Sequence, residues 1–113
     1  MTDCRFIQVQ TTFADVAAAR EVARMLVESR LVACAQIIPS IESYYSWNGE
    51  QCCDTEAALL CKTRASLFST LRAVIVARHQ YECPQIVGTP LEYLSPDYEA
   101  WLDEQLQGKT TGG

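Results

Sequence analysis

The chain has little of what most ligand-binding and catalytic motifs need. Histidine occurs once in its 113 residues, at His79, and its six cysteines include no Cys-x-x-Cys pair. Without that pair there is neither a zinc ribbon nor a thioredoxin-type redox motif. The chain also has no P-loop, no G-x-G-x-x-G fingerprint and no G-x-S-x-G elbow. Their absence counts against nucleotide binding and leaves no familiar catalytic motif.

Long apolar runs and basic stretches are missing as well. No window approaches the ~18 consecutive apolar residues that a membrane helix needs. The N-terminal MTDCRFIQVQ shows no basic region followed by an apolar run, so no signal peptide is visible. A net charge of −5 offers no basic stretch to neutralise phosphates. We therefore expect a cytoplasmic protein with neither a membrane nor a nucleic-acid partner.

What the chain does contain is enough apolar material for a core. Apolar residues make up 49% of it, which is typical of a globular protein. We expect one domain over residues 1–107 and a flexible tail over 108–113. In a reducing cytosol the cysteines should be free thiols. Cys34 and Cys61 lie in apolar runs and are expected in the core, whereas Cys52 and Cys53 follow a turn and should be more exposed.

The first half of the chain predicts a strand, a helix and a long hairpin. The alternation in RFIQVQTT indicates a strand, after which Asp15 can cap a helix. Pro39 interrupts the extended run ACAQIIPSIESYYSW and favours a bulge or an edge position. Asn48–Gly49 is a strong hairpin signal, and TEAALLCKT then predicts the return strand. The predicted apolar helix face consists of Ala19, Val22, Ala23, Leu26 and Val27.

The second half predicts another helix, a strand and a last short helix. RASLFSTLRAVIVARH carries an apolar stripe of Leu67, Leu71, Val74 and Ile75, and this helix should end near His79, before Pro84. QIVGTPLEYL predicts the fourth strand, and Ser95–Pro96 opens a helix whose inner face holds Tyr98, Trp101 and Leu102. The order β-α-β-β-α-β-α fits an α+β fold: a ferredoxin-like split βαβ sandwich with a long β-hairpin and an extra C-terminal helix.

Four segments resemble those of the CutA family of divalent-cation tolerance proteins. They are LVACAQIIP, SYYSWNGE, LLCKT and HQYECPQI, and with their spacing the resemblance covers about residues 7–105. It implies a ferredoxin-like homotrimer that binds divalent metal ions, copper above all, and brings no firm enzymatic activity. The chain departs from the family pattern at Gln80, where proline is usual, and at Gln85, where glutamate is usual.

The segment RHQYECPQI offers a candidate metal site made of His79, Glu82 and Cys83. Imidazole, carboxylate and thiolate are all ligands for copper or another divalent cation. The alternative is that His79 simply satisfies carbonyls at a helix end. If residues 81–84 are extended, Glu82 and Cys83 point to opposite sides, so other subunits or water must complete the site. Gln85 supplies only a neutral amide oxygen.

A second reading, by analogy with the PII signalling proteins, is a trimeric module that senses a small anionic metabolite. The metabolite would bind in an intersubunit cleft where Lys62 anchors it. The alternative for the aromatic residues is core or interface packing, and for Lys62 a solvated strand end. The candidate cleft residues are Tyr45, Trp47, Lys62, Tyr81, Tyr98 and Trp101.

Two thiol hypotheses are weaker. Because adjacent side chains chelate poorly, Cys52 and Cys53 are interpreted as tolerated loop thiols in preference to a Cu(I) site. Cys83 with His79 is the only conceivable nucleophile–base pair, and no third orienting group accompanies it, so we do not expect an enzyme. The hairpin should overhang the shorter strands and expose Tyr44, Tyr45 and Trp47. We expect its free edges to pair with neighbouring subunits.

Overall fold

The computed structural model describes residues 4–108, and its elements follow the predicted order β-α-β-β-α-β-α. A 3₁₀ turn, Ala65–Leu67, precedes the second helix. The strands are β1 (Phe6–Phe13), β2 (Cys34–Trp47), β3 (Glu50–Arg64) and β4 (Ile86–Pro90), and the helices are α1 (Val16–Glu28), α2 (Phe68–Arg78) and α3 (Pro96–Gln105).

The four strands form one antiparallel sheet in the order β2-β3-β1-β4. Alternate residues of β1 point to opposite faces, so Val9 and Phe6 enter different hydrophobic clusters. The cluster around Val9 is covered by α1 and α2, and the cluster around Phe6 is covered by α3 through Leu102. This arrangement is the predicted ferredoxin-like α+β sandwich with an additional helix on the second face.

Helix α1 begins where the sequence predicts. The Asp15 carboxylate accepts a hydrogen bond from the Ala18 N–H at 2.8 Å and so caps the first turn. Val27 departs from the predicted apolar face, since it is 44% exposed. Val27 follows Ala19 by eight positions, and at 3.6 residues per turn this places the two side chains about 80° apart around the helix axis. The buried face consists of Ala19, Val22, Ala23 and Leu26.

The hairpin is longer than predicted because β3 begins at Glu50, ahead of the predicted TEAALLCKT. Asn48 and Gly49 both have positive φ, which fits a two-residue hairpin turn and places Trp47 opposite Glu50. The predicted irregularity at Pro39 is present. Ile38 lies opposite Ala58 but Ile41 lies opposite Glu56, so β2 contains one extra residue, a β-bulge.

Strand β3 extends well beyond its neighbour β1. Pairing with β1 ends where Phe13 meets Ala57, so in the described part of the chain no strand lies beside residues 50–56 of β3 on that side. The segment that follows α2 occupies this notch before the chain enters β4. The overhanging hairpin thus forms a wall beside residues 79–85, and a cleft lies between them.

Two predicted boundaries in the second half are wrong. The fourth strand ends at Pro90, because Leu91 and Leu94 leave the sheet and pack against the cluster under α3. Helix α2 begins at Phe68, after the 3₁₀ turn, and Leu67 packs against the same second cluster rather than with the rest of its predicted stripe. Leu71 and Ile75 are fully buried in the main cluster.

Arginine side chains hold α3 in place. Arg64 donates to the Asp103 carboxylate at 2.8 and 3.1 Å and to the backbone oxygens of Gln107 and Gly108 at 2.9 and 3.1 Å. Arg30 donates to the backbone oxygen of Gln105 at 2.9 Å. The Arg30 bond satisfies a carbonyl that the end of α3 leaves open, and the Arg64 bonds hold the residues that follow the helix. The hydrogen bond from Arg64 and the charges of Arg64 and Arg5 lower the pKa of Asp103.

Two further expectations concern the ends of the chain and the membrane. Apart from Gly108, the predicted flexible tail lies outside the described residues. Ser95 does stand at the N-cap of α3 with Pro96 next, but its side chain makes no capping hydrogen bond. Between residues 4 and 108, every helix is too short or too polar to span a membrane.

Candidate functional site

A cleft of about 730 Å³ lies between the overhanging hairpin and the segment after α2. Its walls come from β2 and β3, from the end of β1 and from the loop that leads into β4. It is lined by Thr12, Ser43, Tyr44, Tyr45, Trp47, Cys52, Asp54, Glu56, Gln80, Tyr81, Glu82, Cys83 and Gln85.

His79 follows the last residue of α2, as predicted, and fastens the loop that borders the cleft. Its Nε2–H donates to the Thr12 backbone oxygen at 2.6 Å, and its Nδ1 accepts from the Tyr81 N–H at 3.1 Å. This pair of bonds requires a neutral imidazole that carries its proton on Nε2. Both ring nitrogens are therefore already in use within the chain.

Stacked rings extend the anchoring of His79. The Phe13 ring lies 4.5 Å from the imidazole, centroid to centroid, with 14° between the planes, and the Tyr81 ring lies 4.7 Å away on a tilt. The Tyr81 hydroxyl then donates to Glu56 at 2.8 Å. Burial, followed by the bond to Glu56, raises the pKa of Tyr81, so the phenol keeps its proton and remains a donor. Core, loop and hairpin are thus connected through four residues.

A second phenol–carboxylate pair lies further along the hairpin. The Tyr45 hydroxyl donates to the Asp54 carboxylate, and this bond is the main cause that raises the pKa of Tyr45 to about 12. Both acids therefore lie beside neutral phenols rather than beside cations. The only ion pairs formed within residues 4–108 join Arg5 and Arg64 to Asp103, at the opposite end of β3 from the cleft.

The predicted metal ligands His79, Glu82 and Cys83 belong to the same bent segment. Residues 81–84 were predicted to be extended, but residues 80–83 are bent, because the Tyr81 N–H turns back to Nδ1 of His79. Glu82 and Cys83 are exposed and line the cleft, and so do Gln80 and Gln85. Within residues 4–108, three or more His, Cys, Asp or Glu side chains nowhere gather in an arrangement that would hold a metal ion.

The predicted cleft residues fall into two separate groups within one chain. Tyr45, Trp47 and Tyr81 line the cleft together. Lys62 lies towards the other end of β3, where its Nζ donates to Gln36 at 3.0 Å. Tyr98 and Trp101 stack on each other in α3 with centroids 5.5 Å apart. The structure of a single chain therefore does not bring Lys62 to the aromatic side chains of the cleft.

The cysteines of the described residues are all free thiols. Cys61 is fully buried, and burial raises its pKa to about 12, so it is an inert core residue as expected. Cys34 is only partly buried. Cys53 is exposed, whereas Cys52 is half-buried and faces the cleft. Since both nitrogens of His79 are bonded to the backbone, neither is free to deprotonate the Cys83 thiol.

Sequence reasoning missed four residues of the cleft: Thr12, Ser43, Asp54 and Glu56. A usable signal existed for the two acids. Counting outwards from the Asn48–Gly49 turn pairs Tyr45 with Cys52 and Ser43 with Asp54, which places the acids on the aromatic face. The Thr12 carbonyl had no such signal, since its bond to His79 joins residues 67 positions apart.

Comparison with known protein families gives a match over most of the chain. A family model described as "CutA1 divalent ion tolerance protein" matches residues 7–105. The "Protein CutA homolog" of Xenopus laevis is 40% identical over 86 residues, which is 76% of this chain and 57% of that protein. The "Divalent-cation tolerance protein CutA" of Thermus thermophilus is 42% identical over 86 residues, 76% of this chain and 84% of that protein.

Solved structures agree with the sequence relatives. The crystal structure of CutA1 from Oryza sativa superposes with a TM-score of 0.90 at 31% identity, covering 93% of this chain and 96% of that one. The chain spans little more than half the length of several curated relatives, such as 54% of "Protein CutA" of Mus musculus. The likeness therefore concerns this domain and does not extend to whatever else those proteins contain.

Proposed function

Because this chain belongs to the CutA1 divalent ion tolerance family, we propose that it is a cytoplasmic, non-enzymatic homotrimer that binds copper or another divalent cation between its subunits. The cation part of this proposal is supported by the donor set of the cleft. Asp54, Glu56 and Glu82 supply carboxylates, and Cys52 and Cys83 supply thiols. Lys and Arg side chains within residues 4–108 do not line it.

The trimer is supported by the unpaired edges of the sheet. Among residues 4–108, no strand pairs with residues 50–56 of β3 on the β1 side, and none pairs with the outer edge of β2. Open edges of this length attract further strands. Tyr44, Tyr45 and Trp47 on this hairpin are 73%, 41% and 49% exposed, an aromatic surface that a neighbouring subunit would cover.

A shared site is supported by the incomplete ligand set of one chain. Glu82 and Cys83 are exposed at the cleft and have no intramolecular partner among residues 4–108, so they are ready to coordinate. His79 can join them only if Nδ1 gives up the Tyr81 N–H or if Nε2–H leaves the Thr12 carbonyl. We therefore propose Glu82 and Cys83 as the first ligands, His79 as a ligand after rearrangement, and a neighbouring subunit for the remainder.

The PII-like alternative receives less support from this cleft. An anionic metabolite needs a cation, and Lys62 is bound to Gln36 away from the aromatic wall. Three carboxylates in the lining would repel such a ligand. Another subunit would have to bring its own Lys62 to the cleft for this alternative to hold.

The first expected result concerns assembly. Size-exclusion chromatography with light scattering at micromolar concentration should give a mass three times that of the 12.6 kDa chain. Burial of the open strand edges and of the hairpin aromatics is the physical reason. A stable particle of 12.6 kDa would remove the trimer from the proposal.

The second expected result concerns the ion. Calorimetric titration with Cu(II) should show that Glu82→Gln and Cys83→Ser each weaken binding by about tenfold, as the loss of one ligand from a small set predicts. His79→Ala should weaken it while leaving the trimer mass unchanged. Cys53→Ser, which removes an exposed thiol outside the cleft lining, is the matched control. If the control variant alone loses copper, the Cys52–Cys53 pair is the site.

A further inference from the structure

The outward face of α2 is less polar than that of a typical solvent-facing helix. Leu71 and Ile75 are fully buried beneath the helix, and an ordinary amphipathic helix carries charged or amide side chains opposite such residues. In α2 the opposite side presents Ala73, Val76 and Ala77, all of them exposed, and Val76 is 41% exposed. Since a helix that is apolar on both sides is normally covered by another element, this face is suited to a partner.

The charges of α2 are all of one sign. The helix contains Arg72 and Arg78 and no Asp or Glu, although the chain as a whole carries a net charge of −5. Both arginines are exposed, and neither forms an ion pair with an acid of residues 4–108. Guanidinium groups bind carboxylates through two parallel hydrogen bonds. The helix thus offers a basic and apolar surface whose natural complement is acidic and apolar.

This surface is separate from those that the proposed trimer and cation site use. Helices α1 and α2 cover the main cluster on one face of the sheet, whereas Tyr45 and its partner Asp54 lie on the other face. The open strand edges belong to the sheet itself, and no residue of α2 lines the cleft. A trimer assembled through the hairpin and the strand edges therefore needs no residue of α2.

We propose that the outward face of α2 docks an acidic amphipathic helix of a partner protein. Ala73 and Ala77 lie one turn apart, and their small side chains let a second helix pack closely. Val76 contacts an apolar side chain of the partner, and Arg72, one turn before it on the same side, binds a carboxylate. Arg78 lies about 9 Å beyond Arg72 along the axis, which suits a second carboxylate about two turns away. This inference goes beyond the proposed function, because it involves neither the cation nor the subunit contacts.

The test is a fluorescence anisotropy titration of the full chain with a labelled, alanine-based helical peptide. The peptide carries two glutamates two turns apart with leucines between them, and its counterpart carries glutamines at the same two positions. Because the contact area is small, we expect the glutamate peptide to bind with a Kd of about 100 µM. The glutamine peptide should bind at least tenfold more weakly. Equal binding of the two peptides, or no binding of the glutamate peptide at millimolar concentration, overturns the proposal.

Paired arginine variants locate the surface. Arg72→Gln combined with Arg78→Gln should weaken binding of the glutamate peptide at least tenfold, because it removes both carboxylate partners. Arg20→Gln combined with Arg24→Gln is the matched control: it removes the same net charge from exposed positions of α1, where acidic residues accompany the arginines. The control should bind the peptide within about twofold of the parent chain. Equal effects of the two pairs would mean that only overall charge matters, and would contradict the assignment to α2.

A single variant tests the apolar contact. Val76→Asp should abolish peptide binding, because it removes the apolar side chain and places a carboxylate against the glutamates. Copper affinity and trimer mass should remain unchanged in this variant, so that this proposal and the proposed function can fail separately. A variant that loses the trimer would instead make α2 a subunit contact and overturn the proposal.

Two other probes distinguish a protein partner from other anionic partners. Phosphatidylserine vesicles and a short RNA duplex should both bind more weakly than the glutamate peptide, since two arginines on an acidic chain neutralise few phosphates. Tighter binding of either probe, lost in the Arg72→Gln and Arg78→Gln double variant, would assign the face to a membrane or a nucleic acid and overturn the proposal.

Discussion

Replacing Arg64 with methionine should lower the free energy of unfolding by about 3 kcal/mol, because it breaks a buried ionic network and leaves acceptors unsatisfied. The Arg64 side chain is 7% exposed and its partner Asp103 is 16% exposed. The lost hydrogen bonds include those to the backbone oxygens of Gln107 and Gly108. We expect α3 to loosen before the rest of the sheet, and urea denaturation at fixed protein concentration measures the total loss.

Arg5→Met is the matched control. Arg5 pairs with the other oxygen of the same Asp103 at 3.0 Å, but its side chain is 45% exposed. An exposed ion pair contributes little, so the loss should be about 1 kcal/mol or less. If the two variants lose comparable amounts of the free energy of unfolding, burial does not explain the larger contribution expected of Arg64.

The Arg64 network also predicts the acid limb of the stability curve. The pKa of Asp103 is lowered in the folded chain, chiefly by the bond from Arg64. Its contribution to stability is therefore complete above about pH 4, the ordinary range of an aspartate, and is lost as the pH falls through the lowered pKa. Arg64→Met should make stability fall less steeply below about pH 4. An unchanged slope would assign the acid sensitivity to other carboxyl groups.

Phe13→Ala should cost about 3–5 kcal/mol, the usual range for a buried phenylalanine in a packed core. Phe13 is 2% exposed and belongs to the main cluster. Its ring also stacks on His79, so the variant should loosen the loop that borders the cleft. Amide hydrogen exchange at the Tyr81 N–H, which is bonded to Nδ1 of His79, should accelerate more than the global loss requires.

Phe6→Ala provides the comparison for Phe13. Phe6 is 1% exposed near the other end of the same strand and belongs to the second cluster, under α3. Its loss should cost a similar amount of stability. Exchange at the Tyr81 N–H should then follow global unfolding only. If both variants affect Tyr81 equally, the ring of Phe13 has no special role in holding the loop.

Local signals were enough to predict most of the fold. Asp15 marks the start of α1 and Asn48–Gly49 marks the hairpin turn, because capping and turn conformations depend on neighbouring residues. Local signals do not predict strand boundaries that are determined by tertiary contacts. The polar residues 50–54 join β3 because the turn sets their register, and Leu91 leaves the sheet because a second cluster buries it.

The candidate site was predictable in part for the same reason. The end of α2 at His79 follows from the chain immediately after it, and Tyr45 and Trp47 follow from strand alternation. The hydrogen bond from His79 to the Thr12 carbonyl connects distant parts of the chain, so no local sequence pattern predicts it. The burial of Arg64 beside Asp103 is likewise a product of how α3 docks.

The bulge in β2 reverses the face of the sheet to which the odd-numbered residues of the strand point. Before it, odd-numbered Ile37 lies opposite Leu59, on the face that α1 and α2 cover; after it, odd-numbered Tyr45 lies opposite Cys52, on the other face. An unbroken register from Ile37 onwards would instead place Tyr44 opposite Cys52. Tyr45 would then turn away from Asp54. A single inserted residue thus decides which tyrosine of the hairpin lies beside Asp54.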